Sequence, residues 1–205
     1  MATAVPAGEV PAALTAAFWK AVAMLRFDRQ AALDGLEAAF RTGATPAGLE
    51  GSYAGRLLTT TVGWGLDPVF GTLAAVWMPW RGKVFDPAAG EGRNRFTPGG
   101  GRAISWPFPD YGDIQLGGPG EVTAFRFVTG VGPSATAPDR SVLRIDYDLP
   151  DNPDSLIRRV LDELVRVGPD AYLGQALVRR GLAYQRAAWF LLEDDVPRGT
   201  EAVTG

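Results

Sequence analysis

The sequence contains neither cysteine nor histidine in its 205 residues. Without cysteine there is no disulfide framework, no thiol nucleophile and no thiolate ligand for a metal. Without histidine the chain lacks the usual general base at neutral pH, the Ser-His triad and the common haem ligand. The sequence therefore predicts no metal site and no cofactor. Any chemistry must come from shaped binding, hydrogen bonds and a tuned carboxylate or lysine.

Charge and hydropathy exclude two further classes of partner. The net charge is −3 and no basic block occurs, so the sequence shows no nucleic-acid footprint. The apolar N-terminal segment has no positive leader, is interrupted by Pro11 and Lys20, and is too short to span a bilayer. We therefore predict a protein without a membrane span or secretion signal, located in the cytoplasm.

The pattern of the chain predicts a mainly β fold with helices. The 26 glycines and 16 prolines favour short strands joined by turns. Alternating segments between residues 49 and 193 number about eight, which suits an antiparallel barrel able to hold one small ligand. A split sandwich or an α+β layer is the alternative. The predicted division is an N-terminal helical extension (1–48), the barrel (49–193) and a tail (194–205).

Helices are predicted at two places outside the strands. Residues 11–25 have helical periodicity, and a second helix starts at Asp28, an N-cap, and stops at Gly43. This pair either packs on the barrel or mediates a homodimer. Residues 154–167 form an apolar stripe at helical spacing, with Asp162 and Glu163 each four residues after an arginine. We interpret this segment as an amphipathic helix before the closing hairpin.

Two shorter segments complete the predicted elements. Asp67 and Pro68 indicate the start of a short helix, and 102–108 reads as a strand with Ile104, Trp106 and Phe108 on one face. The last hairpin is predicted around Gly181.

The start of the predicted barrel resembles the Gly-x-Trp opening of lipocalin-like (calycin-type) barrels, with Gly51 and Tyr53 as the matching residues. In that superfamily the aromatic ring closes the base of the barrel under a basic side chain from the last strand. The resemblance implies that Tyr53 forms the barrel base with an arginine of the closing hairpin, for which Arg186 is our candidate.

A second resemblance covers residues 51–85. The segment Gly51-Ser52-Tyr53-Ala54-Gly55, followed by Trp80-Arg81-Gly82-Lys83-Val84-Phe85, is similar to bacterial GXWXG-type domains of uncharacterised function. This resemblance implies architecture and no particular activity.

Aromatic residues are numerous, with six Trp, five Tyr and ten Phe. Rings at strand spacing either fill the core or line a pocket, and an apolar cavity with a few polar groups is the usual small-molecule site. The predicted ligand-binding side chains are Trp64, Trp77, Trp80, Trp106, Phe125 and Phe127.

Lys83 is the candidate for chemistry inside the barrel. The only other lysine, Lys20, belongs to the N-terminal helices, and every other permanent cation is an arginine. Lys83 is thus the cation that could lose its proton if desolvated. Asp146 and Tyr147 are candidate companions, of which strand alternation allows at most one to share a cavity with Lys83.

Three functions agree with these observations. The first is binding of a hydrophobic small molecule, such as a lipid, terpenoid or polyketide-like compound. The second is a cofactor-free cyclase or isomerase of specialised metabolism acting on such a molecule. The third is a structural or partner-binding protein with a filled barrel. A buried Asp, Lys or Tyr at the cavity wall favours the enzyme, and a purely apolar wall favours the carrier.

Overall fold

The computed structural model describes residues 10–61, 78–116, 121–154 and 156–195. In these ranges the chain forms three α-helices, one 3-10 turn and nine strands. The helices are α1 (Ala12–Met24), α2 (Arg29–Thr42) and α3 (Gly100–Ser105), and the 3-10 turn is Ile157–Arg159. The strands are β1 (Gly51–Thr60), β2 (Trp80–Asp86), β3 (Glu91–Phe96), β4 (Gln115–Leu116), β5 (Val122–Pro133), β6 (Ser141–Asp146), β7 (Val160–Arg166), β8 (Ala171–Arg180) and β9 (Ala183–Asp194).

The strands close into an antiparallel barrel, as the sequence predicted. Their order is β3-β2-β1-β9-β8-β7-β6-β5-β4, and a further pairing of β3 with β5 closes the ring around eight strands. The short β4 lies outside this ring, alongside the start of β5. Closure satisfies the backbone groups that an open sheet would leave at its edges.

Strand alternation divides the buried residues into two cores. One lies inside the barrel and is rich in aromatic rings, including Phe85, Phe127 and Phe190. The other lies between the outer face of β6–β9 and the two N-terminal helices, where Phe18 of α1 and Phe40 of α2 are fully buried. The helices therefore pack on the barrel, which is one of the two arrangements predicted for them. A homodimer through these helices stays a prediction.

The N-terminal helices form where their sequence signals indicate. Asp28 caps α2, because its side chain accepts a hydrogen bond of 3.0 Å from the backbone N–H of Ala31. Gly43 follows the last residue of α2. The closing hairpin is also confirmed, with Gly181 in the left-handed region at φ 62° between β8 and β9.

The predicted helix at 154–167 is wrong, since this segment contains the 3-10 turn and β7. β7 is buried on both faces because the barrel core covers one and the helices cover the other. A strand buried on both faces carries a near-continuous apolar run, which also satisfies helical spacing. Asp162 and Glu163 are consequently not on one wet face: they point to opposite sides of the barrel wall, and both are buried.

The predicted strand at 102–108 is also wrong. Residues 100–105 form the short helix α3, with Ile104 and Phe108 buried and Trp106 exposed over 83% of its surface. The helical turn continues past the end of α3, because the Phe108 N–H donates a 3.1 Å hydrogen bond to the Ile104 carbonyl oxygen. Residues four apart in such a turn share a face, and the residue midway between them does not. The alternation seen in the sequence therefore has a helical cause here.

The predicted helix that starts at Asp67 lies outside the described residues. None of the described helices is long and apolar enough to cross a membrane.

Glycines in the strands make room for rings inside the barrel. A Cβ at Gly174 would lie 2.2 Å from the Phe190 ring, and a Cβ at Gly92 would lie 2.3 Å from the Phe127 ring. The bare backbone at these positions lets each ring lie flat against the neighbouring strand.

We expect Gly174→Ala to destabilise the protein by about 1–3 kcal/mol, because the methyl group forces the Phe190 ring out of its position. The matched control is Gly130→Ala in β5, where a Cβ would meet no heavy atom within 4 Å. The measurement is the urea midpoint at constant slope. Equal midpoints for the two variants would contradict this account of the core.

Candidate functional site: a buried lysine at the barrel cavity

The barrel encloses a cavity of about 50 Å³ with largely apolar walls. Ala176 and Ala188 face each other across β8 and β9, and Ala176 is also the register partner of Asp162. These small side chains leave space next to a polar group. The described residues that line the cavity are Leu57, Trp80, Lys83, Asn94, Phe96, Phe125, Tyr147, Ile157, Val160, Asp162, Ala176, Ala188 and Phe190.

A β-bulge in β2 places the side chains of Trp80 and Lys83 inside the barrel. Trp80 and Lys83 are three residues apart, so regular alternation would send them to opposite faces. The register shift between Trp80 and Gly82 removes this conflict. Gly82 has φ 140°, and a Cβ there would lie 1.9 Å from the Tyr53 carbonyl oxygen, so this backbone conformation requires glycine.

Lys83 is 1% exposed, and its ammonium group has a partner for each of its three protons. Nζ donates hydrogen bonds to Oδ2 of Asp162 at 2.8 Å, to Oδ1 of Asn94 at 2.9 Å and to the hydroxyl of Tyr147. A buried cation is tolerated only when it is paired and hydrogen-bonded, and this arrangement fulfils both requirements.

Among the described residues, four aromatic rings surround the same nitrogen. The ring centroids of Tyr147, Phe127, Trp80 and Phe190 lie 5.1, 5.3, 5.6 and 5.6 Å from Nζ. The faces of aromatic rings attract cations at such distances. The ring faces thus stabilise the positive charge of the ammonium group on its apolar side, and the Asp162 carboxylate stabilises it on the other side.

Tyr147, Asn94 and Asp162 form one hydrogen-bonded group around Lys83. The Tyr147 hydroxyl lies 3.1 Å from Oδ2 of Asp162 and accepts a 3.0 Å hydrogen bond from Nδ2 of Asn94. Oδ1 of Asn94 also accepts a 3.1 Å hydrogen bond from Nε1 of Trp80.

Burial changes the proton affinities of this group in opposite directions. Desolvation lowers the pKa of the Lys83 amine, and the neighbouring Asp162 carboxylate offsets part of this effect. Desolvation, together with the charge of Asp162, raises the pKa of the Tyr147 phenol well above its ordinary value. At neutral pH Tyr147 is therefore a neutral donor, and Lys83 holds its proton less firmly than a lysine in water.

Phe125 forms part of the cavity wall in a strained conformation. Its φ of 54° lies in the left-handed region, at the register shift between β3 and β5. Tyr111 supports this geometry, because its ring stacks on Phe125 at 5.0 Å and its hydroxyl accepts a 2.7 Å hydrogen bond from the Phe125 N–H. Strained residues of this kind occur mainly where a site needs a side chain at a particular place.

The structure brings together some of the predicted site residues and separates others. Lys83 and Tyr147 share the cavity, whereas Asp146 lies on the opposite face and accepts a hydrogen bond from the Asp148 N–H. Trp80 and Phe125 line the cavity, and Phe127 lies beneath the Lys83 amine. Trp106 is exposed, and it is not among the lining residues that the structure describes. Trp64 and Trp77 lie outside the described residues.

The expected contact between Tyr53 and Arg186 is not formed. Tyr53 is buried and packs edge-on against Phe85 and Tyr172, with ring centroids 5.5 and 5.6 Å away. It pairs with Asp194 at the far end of β9, roughly 25 Å along the strand from Arg186 at about 3.3 Å per residue. Arg186 instead lies on the outer face, 4.2 Å from the Trp189 ring centroid.

A second buried polar cluster lies outside the barrel wall. The Glu163 carboxylate accepts hydrogen bonds from Ser134 Oγ at 2.6 Å, Gln175 Nε2 at 2.7 Å and the Ala135 N–H at 2.7 Å. Arg186 joins this cluster to the helices, because it donates to Gln175 and forms a 2.7 Å ion pair with Glu37 of α2. These contacts fix the helical layer on the barrel, and the cluster has no share in the cavity lining that the structure describes.

Sequence reasoning missed Asn94 and Asp162. Asp162 was assigned to a solvated helix face, and Asn94 lies in a short arginine-rich segment with no apolar alternation to indicate its direction. A buried lysine requires a buried carboxylate, and this requirement is the signal that could have directed attention to the apolar context of Asp162. In the described ranges, no group of three acidic residues could hold a metal ion.

No protein-family model matches the chain, and no significant match is found among curated proteins or solved structures.

We expect Lys83→Met and Asp162→Asn each to lower the free energy of unfolding by about 3–5 kcal/mol, because each leaves one member of the ion pair buried without its partner. The double variant should lose less than the sum of the two single variants. The measurement is a double-mutant cycle in urea.

The control cycle uses Arg41 and Asp139, an exposed pair at 3.3 Å whose coupling should be about 0–1 kcal/mol. Coupling between Lys83 and Asp162 as small as that of the control would show that the buried pair does not govern stability.

Buried phenols should make the protein sensitive to alkali. Burial raises the pKa of Tyr53, Tyr147 and Tyr172, and it raises that of Tyr111 to about 12. A raised folded-state pKa contributes stability that is present below the unfolded value of about 10 and is lost as pH rises through the folded value. The lowered pKa of Lys83 acts with the opposite sign, so stability gains from Lys83 as pH approaches 10.5.

The urea midpoint should therefore fall between pH 10 and 12. The fall should be less steep in Tyr111→Phe, which has one buried phenol fewer. The measurement is urea unfolding across this pH range, with phenolate absorbance recorded in parallel. Parallel profiles for wild type and Tyr111→Phe would contradict the assignment of Tyr111.

Proposed function

We propose that the protein binds a small, largely apolar molecule with a carbonyl group inside the barrel, with the carbonyl oxygen directed at Lys83. The observation that carries this proposal is a fully buried lysine amine at the wall of a largely apolar cavity. Such a wall with a few convergent polar groups is the usual form of a small-molecule site.

The hydrogen bonds around Lys83 allow a ligand to enter without leaving a polar group unsatisfied. A carbonyl oxygen can take the proton that Nζ gives to Asn94, because Oδ1 of Asn94 keeps Trp80 as its donor. Lys83 keeps Asp162 and Tyr147 as partners. The exchange replaces one hydrogen bond to the amine by another, so the desolvation cost of a buried unpaired group is avoided.

Cavity size narrows the ligand class. About 50 Å³ holds a few water molecules at roughly 10–15 Å³ each, which corresponds to a molecule with a few non-hydrogen atoms. This volume favours short-chain carbonyl compounds over the lipid, terpenoid or polyketide-like ligands that the aromatic content alone suggested. The proposal agrees with the resemblance to lipocalin-like barrels, which are eight-stranded antiparallel barrels that can hold one small ligand.

A cofactor-free isomerase is the second candidate, and the buried Lys83, Asp162 and Tyr147 at the cavity wall favour it. The Tyr147 hydroxyl contacts both the Lys83 amine and Asp162 Oδ2, so it can pass a proton between a carbonyl compound bound at the amine and the carboxylate. Lys83 would then stabilise a developing enolate.

Fluorescence titration tests the binding proposal. A short-chain ketone such as 2-butanone should produce a saturable change in tryptophan emission, because Trp80 lines the cavity. We expect the saturable change to disappear in Trp80→Phe and to persist in Trp106→Phe, whose indole is exposed in the wild-type protein.

Loss of the signal in Trp106→Phe alone, or no saturation with any short-chain ketone or aldehyde, would refute the proposed site. Recovery of unchanged ketone after incubation agrees with a binding protein. Deuterium uptake next to the carbonyl in D2O, absent in Tyr147→Phe, would support the isomerase.

A further inference from the structure

Three groups with different chemistry meet at the Lys83 side chain. The amine is a nucleophile, the Asp162 carboxylate is a proton acceptor, and the Tyr147 hydroxyl is a polarising donor. Lys83 Nζ lines the cavity, Asp162 lies 2.8 Å from it, and the Tyr147 hydroxyl contacts it directly. The Asp162 carboxylate is needed to pair the buried cation. It is also placed to take a proton from the amine, which is the requirement for nucleophilic attack.

We propose that Lys83 captures small apolar aldehydes covalently, by condensation of its side-chain amine with the carbonyl carbon to form an imine. The inference rests on the proposed function, since the aldehyde must first occupy the same cavity.

The proton inventory of the site supports each step. Asp162 takes a proton from the ammonium group, and the freed nitrogen lone pair attacks the carbonyl carbon. A C–N bond forms, and the π electrons of the C=O bond move to the oxygen, which takes a proton from Tyr147. Transfer of one amine proton to Tyr147 completes the neutral carbinolamine, in which the second amine proton remains on nitrogen. The nitrogen lone pair then expels the hydroxyl group, which leaves as water with the proton held by Asp162.

The product keeps the charge balance of the starting site. One ammonium and one aldehyde give one protonated imine and one water, so the positive charge stays at the same nitrogen. Asp162 remains its counter-ion at that position, and the four rings 5.1–5.6 Å from the nitrogen still face a cation. No new buried charge is created, which removes the main electrostatic obstacle to reaction in an apolar interior.

The walls favour an aldehyde over a ketone. Imine formation makes the carbonyl carbon tetrahedral on the way, and each carbon substituent needs room beside the rings of Trp80 and Phe190. A cavity of about 50 Å³ accommodates one short alkyl chain more easily than two. Burial also lowers the pKa of the Lys83 amine, which increases the fraction available as nucleophile.

The chain contains its own control, because Lys20 is its only other lysine. Lys20 lies exposed on α1, outside the cavity. Full-length protein is incubated with propanal at neutral pH and reduced with cyanoborohydride, which converts an imine into a stable propyl amine. Peptide mass spectrometry then gives the propylated fraction at Lys83, at Lys20 and at the N-terminal amine separately.

We expect early propylation of Lys83 to exceed that of Lys20 by at least about tenfold, because the cavity holds propanal beside the Lys83 amine. The lowered pKa of this amine acts in the same direction. Tyr147→Phe should slow the formation of the Lys83 adduct severalfold. Lys20→Arg should leave the yield of the Lys83 adduct unchanged. Propylation of Lys20 equal to or greater than that of Lys83 would overturn the inference.

Fluorescence separates failure of this inference from failure of the proposed function. A saturable Trp80 response to propanal or 2-butanone without preferential Lys83 propylation would overturn covalent capture and leave binding in place. Absence of both the Trp80 response and the adduct would overturn both proposals. The comparison within the wild-type chain does not depend on any variant that could fail to fold.

Discussion

The buried ion pair between Lys83 and Asp162 is the interaction on which the interior of this barrel depends. Each charge would be too costly to bury alone, so β2 and β7 must both be in register before either side chain can enter. The bulge at Gly82, where the backbone lies close to the Tyr53 carbonyl, turns Lys83 into the barrel. There the Asn94 side chain accepts one of the hydrogen bonds of the Lys83 amine. The cavity exists beside this group because Ala176 and Ala188 do not fill the space.

The same strand carries a second constraint on its other face. Glu163 follows Asp162 directly, and its carboxylate is bonded to Ser134 and Gln175 beneath the helices. A slip of β7 by one residue would exchange the two carboxylates between the barrel interior and the helical interface, and both would lose their partners. The Asp162 and Glu163 networks lie on opposite faces of β7 and therefore specify its register strictly. The apolar residues of β7 specify it less, because they could be buried on either face.

Sequence patterns predicted the barrel, the helical pair and the closing hairpin, because alternation and turn residues act locally. They also singled out Lys83, a lysine among arginines, and they left Asp146 and Tyr147 as alternative companions, of which only one could share its cavity. They failed at β7, where burial on both faces erases alternation and leaves a run that also suits a helix. Asp162 was lost with that error. Asn94 and the bulges could not be predicted, since they follow from the approach of strands distant in sequence. The Arg186 assignment failed because the resemblance gave no register for β9.

Closure of the barrel by β1 and β9 has a consequence for how the chain folds. These strands are the first and last of the ring in sequence, and their pairing joins Tyr53 to Asp194. Contacts of such long sequence separation require a large loss of loop entropy before they contribute stability, and they slow folding. The hairpins from β5 to β9 can form early, whereas the ring stays open until β1 meets β9. During synthesis on the ribosome, the aromatic interior would remain accessible until the last strand emerges.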